Sequence, residues 1–333
     1  MYQAKFNKLT LNFKTPSGTS RGVLTSKDSW ILELWNKNNT SIIGKGEASI
    51  IKTLSPDWSD QYENKLAEVA NEIDFFVANI ESLAAFPSIQ FAIETALQDL
   101  QSGGNYKIYE PEVNKISING LIWMGSKEFM LKQVEEKIKA GFSTIKLKIG
   151  AIDFESELSI LKYIRSHYSA SEITLRVDAN GAFDKNDALD KLKKLADFEI
   201  HSIEQPIKAG QWEMMKKLCE QTPLPIALDE ELIGITEKTQ KEKLLQKIKP
   251  QYIILKPSLI GGFAGTDEWI ELAEKINIDW WVTSALESNI GLNAIAQYTA
   301  LKNNPLPQGL GTGGLYTNNV NPFLTIKEGY LWL

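Results

Sequence analysis

The sequence predicts an α/β protein: a (β/α)8-type (TIM-like) barrel preceded by an N-terminal α+β capping domain. From about Ile116 onward, eight short apolar runs typical of strands recur along the chain. Amphipathic segments with helical spacing lie between them, and this alternation indicates parallel strands. Eight strands, rather than five or six, favour a closed barrel over an open doubly wound sheet.

The predicted barrel covers residues 116–314. Its strand signals, in order, are ISINGLIWMG, TIKLKIG, TLRVDAN, IHSIEQPI, PIALDEE, YIILKPSL, DWWVTSALES and QGLGTGG. The clearest helical segments between them are SKEFMLKQVEEKIKAGF, FESELSILKYIRSHY and NDALDKLKKLADF, each with a charged outer face.

Residues 1–115 show a different pattern. Alternating strand-like stretches, KLTLNFKT and WILELWNK, come first, and helical stretches follow near Tyr62–Ala78 and Ser88–Gln101. Two loops rich in small and polar residues, KTPSGTSRGVLTSKDS and GKGEASIIKTLSPDWS, suit mobile lids over a site. We expect the apolar C-terminal segment, residues 315–333, to return to the capping domain.

The composition is that of a globular protein that acts on small molecules. With 43% hydrophobic residues, 23% charged residues and a net charge of −6, the chain shows no basic excess for nucleic acid or an anionic membrane. The N-terminus lacks the apolar region of a signal peptide, so a cytoplasmic location is expected. The single cysteine, Cys219, lies in a helical pattern and is expected to pack in the core. The oligomeric state is left open.

Five charged residues, each ending an apolar run, stand at near-even intervals: Lys148, Asp178, Glu204, Asp229 and Lys256. Active sites of such barrels lie at the C-terminal ends of the strands, so charges there indicate catalysis. The three acids could converge as hard oxygen ligands, which suit Mg²⁺ better than Zn²⁺. Any one of them alone would more simply cap the following helix.

Lys146 and Lys148 are two residues apart on one strand, so both side chains point to the same face. Mutual repulsion and a nearby metal would lower a lysine pKa toward the range of a general base. Lys256 can approach from the opposite side. A divalent cation facing lysines across a pocket suits the removal of a proton from the carbon next to a carboxylate.

The motifs TIKLKIG, RVDANG, IEQP, LDE and ILKP, in this order after an α+β domain, resemble the enolase superfamily and its muconate-lactonizing-enzyme-like subgroup. The resemblance extends to GKGEA and PSIQFAIETALQDL in the first domain. It implies that the three acids bind Mg²⁺, for which Mn²⁺ could substitute, and that Lys148 and Lys256 are the acid and base. It further implies that Lys146 and Asn180 assist at the substrate and that Glu230 partners Lys256.

The same resemblance bears on the substrate, a small carboxylate. The mandelate-racemase-like branch needs a His-Asp pair, and neither His167 nor His201 stands where it could replace Lys256. Dipeptide epimerases carry an Asp-x-Asp at the eighth strand, where this chain has QGLGTGGLY. A glycine-rich turn with free N–H groups suits a carboxylate or carbonyl and so favours a dianionic substrate.

The motifs at strands one, seven and eight resemble the branch that dehydrates 2-succinyl-6-hydroxy-2,4-cyclohexadiene-1-carboxylate to 2-succinylbenzoate in menaquinone biosynthesis. The expected contacts with that substrate are Ser284, Glu287, Gly311, Arg21 and Trp123. Arg21 could equally be an ordinary exposed loop charge. Two alternatives stay open: an N-acylamino acid racemase or dipeptide epimerase on the same scaffold, and, more remotely, a non-catalytic barrel.

Overall fold

The computed structural model of the protein describes residues 1–19, 22–321 and 323–333. Its N-terminal part pairs three long antiparallel strands in the order β1-β2-β3. They are β1 (Tyr2–Thr19), β2 (Gly22–Asn36) and β3 (Asn39–Ser49), and the helices α1 (Tyr62–Asn71), α2 (Ile73–Ala78) and α3 (Pro87–Gln101) follow.

Helix α3 packs closely on β3 because the GKGEA motif supplies two glycines at the contact. A Cβ at Gly46 would lie 1.9 Å from the carbonyl oxygen of Ala92, and one at Gly44 would lie 2.0 Å from that of Ala96. Only glycine permits this approach. The helices and sheet enclose a core that includes Trp30, Leu32 and Leu34 of β2.

The second part of the chain alternates strands and helices. Its elements, in order, are β4 (Lys115–Ser117), β5 (Gly120–Ile122), α4 (Lys127–Lys139), β6 (Thr144–Lys148), α5 (Phe154–His167), β7 (Thr174–Asp178), α6 (Ala188–Ala196), β8 (Ser202–Glu204), α7 (Trp212–Gln221), β9 (Ile226–Leu228), α8 (Lys238–Ile248), β10 (Tyr252–Leu255), α9 (Gly262–Glu274), β11 (Asp279–Val282), α10 (Asn289–Lys302), β12 (Thr325–Lys327) and β13 (Tyr330–Trp332).

Seven of these strands, β5 to β11, form one sheet in chain order, and every neighbouring pair is parallel. The predicted alternation of parallel strands and helices is therefore confirmed for this part of the chain. The helices cover the sheet, and the largest hydrophobic core of the described residues lies between them.

Two strand predictions need correction. The first run, ISINGLIWMG, divides into β4, which pairs with β13, and β5, which joins the parallel sheet. The eighth, QGLGTGG, contributes isolated parallel bridges from Gln308 to Ile118 and from Gly309 to Thr283. Its four glycines explain why no longer ladder forms there, because glycine weakens a strand interior.

The end of the chain touches both parts of the protein. Strand β13 pairs with β4 and β12, whereas the N–H of Lys14 on β1 donates to the carbonyl of Leu315 at 2.8 Å. Tyr316 forms a bridge with Phe13, and their rings lie 4.8 Å apart. Among the described residues, none of the helices has the length and apolar character required to cross a membrane.

Candidate active site

Parallel pairing brings the predicted charged residues to one edge of the sheet. Lys148, Asp178 and Glu204 are the last residues of β6, β7 and β8, and they are direct partners in the register. Asp229 and Lys256 each follow a strand by one residue, at the ends of β9 and β10. The C-terminal ends of five neighbouring strands therefore carry all five charges.

The lysines and carboxylates at this edge form one buried ionic cluster. Lys148 Nζ donates to Asp178 Oδ2 at 2.5 Å, and Lys146 Nζ lies 3.0 Å from the same oxygen. Lys146 also pairs with Glu204, and Lys256 pairs with Asp229. The three carboxylates are at most 2% exposed, so little solvent screens these charges.

The cluster shifts the pKa values of its members. Burial alone would raise the pKa of Asp178, but the ammonium groups of Lys146 and Lys148 outweigh it and hold that pKa below its usual range. Burial and the neighbouring Asp178 raise the pKa of Glu204, which Lys146 only partly offsets. Burial disfavours the charged lysines, yet the carboxylates raise the pKa of Lys146 and of Lys256. The carboxylates thus dominate the surroundings of these two lysines and favour their charged forms. The expected lowering of a lysine pKa supposed a bound metal and stays a prediction.

Asn180 and Glu230 form a second layer of contacts. Asn180 Oδ1 accepts from Lys148 Nζ at 2.9 Å, and Asn180 Nδ2 donates to Glu230 Oε1 at 3.1 Å. The ammonium of Lys256 contacts Asp229, and the charge of Glu230, its expected partner, contributes to the raised pKa of Lys256. Asn180 thus connects Lys148 to Glu230.

A cavity of about 210 Å³ opens directly onto the three lysines. Its other walls are largely apolar and include Leu121, Trp123 and Leu286. Residues of segments 22–24 and 51–54, which the sequence indicated as lids, also line it. The first of these segments is the start of β2 rather than a loop. The space suits a small anion with an apolar body, because cations stand on one side and hydrocarbon on the other.

The predicted substrate residues divide into three groups. Trp123, Gly311 and Ser284 line the cavity, and Ser284 Oγ shares a 2.6 Å hydrogen bond with Thr312 Oγ1. Arg21 lies outside the described residues. Glu287 is not among the cavity-lining residues: its side chain is fully buried and accepts a hydrogen bond from Ser258 Oγ at 2.5 Å.

The structure does not place Glu287 at the cavity, because the chain has left β11 well before this residue. Leu286 has a φ of +61°, in the left-handed region that non-glycine residues rarely adopt. Ser284 lines the cavity, whereas Glu287, which follows this turn, does not.

Sequence reasoning missed other residues around the cavity. Asn119 and Thr283 line it, and Asn119 Oδ1 and Thr283 Oγ1 have no hydrogen-bond partner within the described ranges. Alternation along β5 puts Asn119 and Leu121 on the same side as Trp123, which is the signal that could have identified them. Thr283 carried no such signal, because its neighbour Gly309 is remote in sequence.

Gln205, in the IEQP motif, also has a role that sequence reasoning missed. Its Oε1 accepts from the N–H groups of Asp229, at 3.2 Å, and Glu231, at 3.3 Å. The side chain is fully buried. It therefore fixes the turn that presents Asp229.

We tested whether these residues suit a divalent cation. As positioned, no three acidic, histidine or cysteine side chains in the described part of the chain are arranged to hold a metal ion. The carboxylates instead face the lysines. Their chemistry nonetheless fits Mg²⁺: all are hard oxygen donors, and Glu204 Oε1 is buried without a hydrogen-bond partner among the described residues. Such an atom is costly unless a cation or water satisfies it.

Comparison with known proteins identifies the class. Residues 130–333 match the family described as "Enolase C-terminal domain-like", and the chain belongs to that family within the enolase superfamily, as its motifs indicated. Members of this superfamily generally use Mg²⁺.

The individual relatives are more specific. The chain is 43% identical to an o-succinylbenzoate synthase of Desulfotalea psychrophila, over 99% of this chain and 98% of the relative. The crystal structure of MenC from that organism matches with a TM-score of 0.89 over 100% of this chain and 99% of the other. An L-Ala-D/L-Glu epimerase of Bacillus subtilis is 26% identical, over 80% of this chain and 76% of its own.

Proposed function

We propose that the chain is an o-succinylbenzoate synthase, a hydro-lyase that converts 2-succinyl-6-hydroxy-2,4-cyclohexadiene-1-carboxylate to 2-succinylbenzoate. The observation that carries this proposal is that Lys148 and Lys256, four strands apart in the sheet, line one cavity above three buried carboxylates. The 43% identity to a relative of that name, over nearly the whole of both chains, supports the choice of reaction.

In this proposal Lys148 transfers the proton. Its neutral amine removes the proton from the ring carbon next to the carboxylate, and the same proton then leaves with the ring hydroxyl as water. The C–H electron pair forms the new ring double bond as the C–O bond breaks, so the product is aromatic. Lys256, across the cavity, stabilises the charge that develops on the substrate.

Asp178, Glu204 and Asp229 would hold Mg²⁺. When bound, Mg²⁺ would neutralise the substrate carboxylate and compete with Lys148 for Asp178, which favours the neutral amine that accepts a proton. Lys146 lies in ionic contact with Asp178 and Glu204. Asn180 orients Lys148 through its 2.9 Å hydrogen bond.

We further infer that the parallel sheet is closed into a (β/α)8-type barrel, residues 116–314, with residues 1–115 as its cap and residues 315–333 returning to that cap. The bridges from Gln308 to Ile118 and from Gly309 to Thr283, which lie beside the two edge strands, support closure. The hydrogen bond from Lys14 to Leu315 supports the return of the C-terminal segment.

The test is turnover of the cyclohexadiene acid, followed by the absorbance of the aromatic product, with and without Mg²⁺. We expect Mg²⁺-dependent dehydration by the unchanged protein. Lys148→Ala should lose at least about 10²-fold to 10⁴-fold in rate, the usual contribution of a general base, while retaining its fold and Mg²⁺ binding. Lys193→Ala, at an exposed lysine on α6, is the matched control and should be fully active.

Proton exchange in D₂O separates the alternatives. Faster exchange and racemisation of N-acylamino acids or dipeptides than dehydration of the cyclohexadiene acid would replace our proposal with a racemase or epimerase. No reaction with any of these substrates would indicate a non-catalytic barrel. A Lys148→Ala variant with near-normal turnover would remove Lys148 as the base.

A further inference from the structure

A buried polar network joins the N-terminal sheet to the barrel strands. Lys27 Nζ donates to Ser29 Oγ at 3.0 Å and to Ser49 Oγ at 2.5 Å, and Ser29 Oγ donates to Glu47 Oε1 at 2.7 Å. Glu47 also accepts from the N–H of Ser288 at 2.8 Å. The network therefore crosses from β2 and β3 to the start of α10.

A second carboxylate, Glu287, extends the network toward a catalytic lysine. It accepts a hydrogen bond from Ser258 Oγ, two residues after Lys256. Burial lowers the pKa of Lys27, and the charges of Glu47 and Glu287 only partly counter this lowering. Lys27, Glu47 and Glu287 are 6%, 0% and 0% exposed, so water does not screen them. Lys27 thus lies near two buried carboxylates that little solvent screens, an arrangement that is costly to disrupt.

The position of the network relative to the cavity suggests its use. Segment 22–24 precedes Lys27 on β2, segment 51–54 follows Ser49, and segment 284–286 directly precedes Glu287. Residues of all three segments line the cavity, whereas Lys27, Glu47 and Glu287 are not among the described residues that line it. The network therefore joins the chain next to the three segments that form the apolar walls of the cavity.

Buried charges of this kind rarely add stability beyond what apolar residues of the same size would give. In some proteins they instead specify one arrangement of the chain. We propose that Lys27, through Glu47 and Glu287, is a positioning residue that fixes segments 22–24, 51–54 and 284–286 around the substrate. This inference rests on the proposed function for its kinetic consequence only. The lysines and carboxylates of the ionic cluster stand on barrel strands, so the network governs substrate binding more than the chemical step.

The test is Lys27→Met, which keeps the length of the side chain and removes its charge. We expect KM for the cyclohexadiene acid to rise on the order of 10-fold or more, because small displacements of positioning groups have large effects, while kcat changes much less. Hydrogen exchange should accelerate at segments 22–24, 51–54 and 284–286. This second readout needs no turnover, so a failure of the proposed function would leave the inference testable.

Glu94→Gln is the matched control, because Glu94 is also a buried carboxylate that joins the N-terminal part to a barrel helix, and it does not line the cavity. It should leave KM and exchange at the three segments unchanged. Should Lys27→Met fail to fold, Lys27→Met combined with Glu287→Gln removes one charge of each sign and should fold with the same rise in KM and exchange. A folded Lys27 variant with normal KM and exchange, or an equal rise in the Glu94 control, would overturn the inference.

Discussion

The pH dependence of stability should depend strongly on Glu94, a carboxylate of α3. It accepts hydrogen bonds from the N–H groups of Phe263, at 2.5 Å, and Ala264, at 3.3 Å, in the first turn of α9. Burial raises its pKa from 4.5 to about 7, which these two N–H groups only partly counter, and Asp267 adds to the rise. Folded protein therefore binds this proton more tightly than unfolded protein does.

The size of the effect follows from the two pKa values. Stability from this proton is complete below pH 4.5 and is lost as the pH rises through about 7. At about 1.36 kcal/mol per pH unit, the loss is on the order of 3 kcal/mol in the free energy of unfolding. Glu94→Gln keeps an oxygen acceptor for the N–H groups and has no titratable proton. The free energy of unfolding of this variant should therefore not contain this pH-dependent loss.

The assay is urea denaturation of both proteins at a series of pH values between 4 and 8.5. Other buried acids, such as Glu157, titrate in the same window, but they are common to both proteins and cancel in the difference. The stability of the unchanged protein relative to Glu94→Gln should fall by about 3 kcal/mol from the acidic end to the basic end of the series. Parallel curves would refute the assignment of a raised pKa to Glu94.

Two further predictions concern the strand ends that form the site. Glu157 Oε1 accepts from the N–H of Gly150 at 2.6 Å, so Glu157→Ala should lower the free energy of unfolding by about 1–3 kcal/mol in urea denaturation and lower kcat through Lys148. Glu157→Gln should retain most of the stability and most of kcat. Equal effects of the two variants would contradict this role. A Cβ at Gly309 would lie 2.3 Å from Thr283 Oγ1, so Gly309→Ala should lower the free energy of unfolding by about 1–3 kcal/mol and reduce kcat/KM. Adding Thr283→Ala should restore part of the stability and part of kcat/KM. A Gly309→Ala protein with unchanged stability and kcat/KM would rule out this contact.

Much of the architecture could be predicted from the sequence because it depends on local periodicity. Apolar runs with one charge at their end define both the strands and the edge at which Lys148, Asp178 and Glu204 meet. Parallel strands place their C-terminal ends together, so the order of charges along the chain becomes their order in space. The glycines of GKGEA are a further local signal, because their lack of a side chain allows α3 to pack closely on β3.

Sequence reasoning did not reach the features that arise where side chains from distant segments act on one another. The raised pKa values of Lys146 and Lys256 depend on acids from several strands. No local sequence pattern predicts the distances between those acids and the two lysines. The pairing of Lys256 with Asp229 likewise joins the ends of two strands, β10 and β9, that are separate in the sequence.

The contacts of Glu287, rather than its position in the sequence, indicate its proposed role. It lies five residues after the end of β11 and directly after Leu286, whose backbone is left-handed. There it accepts a hydrogen bond from Ser258 Oγ and interacts electrostatically with Lys27. Its partners come from β2 and from the turn after β10, which lie more than two hundred residues apart in the sequence. A buried acid at a cavity edge need not contact the substrate to determine how it binds, because it can hold the segments that do. The Lys27→Met experiment measures that indirect contribution separately from the chemistry of the lysines.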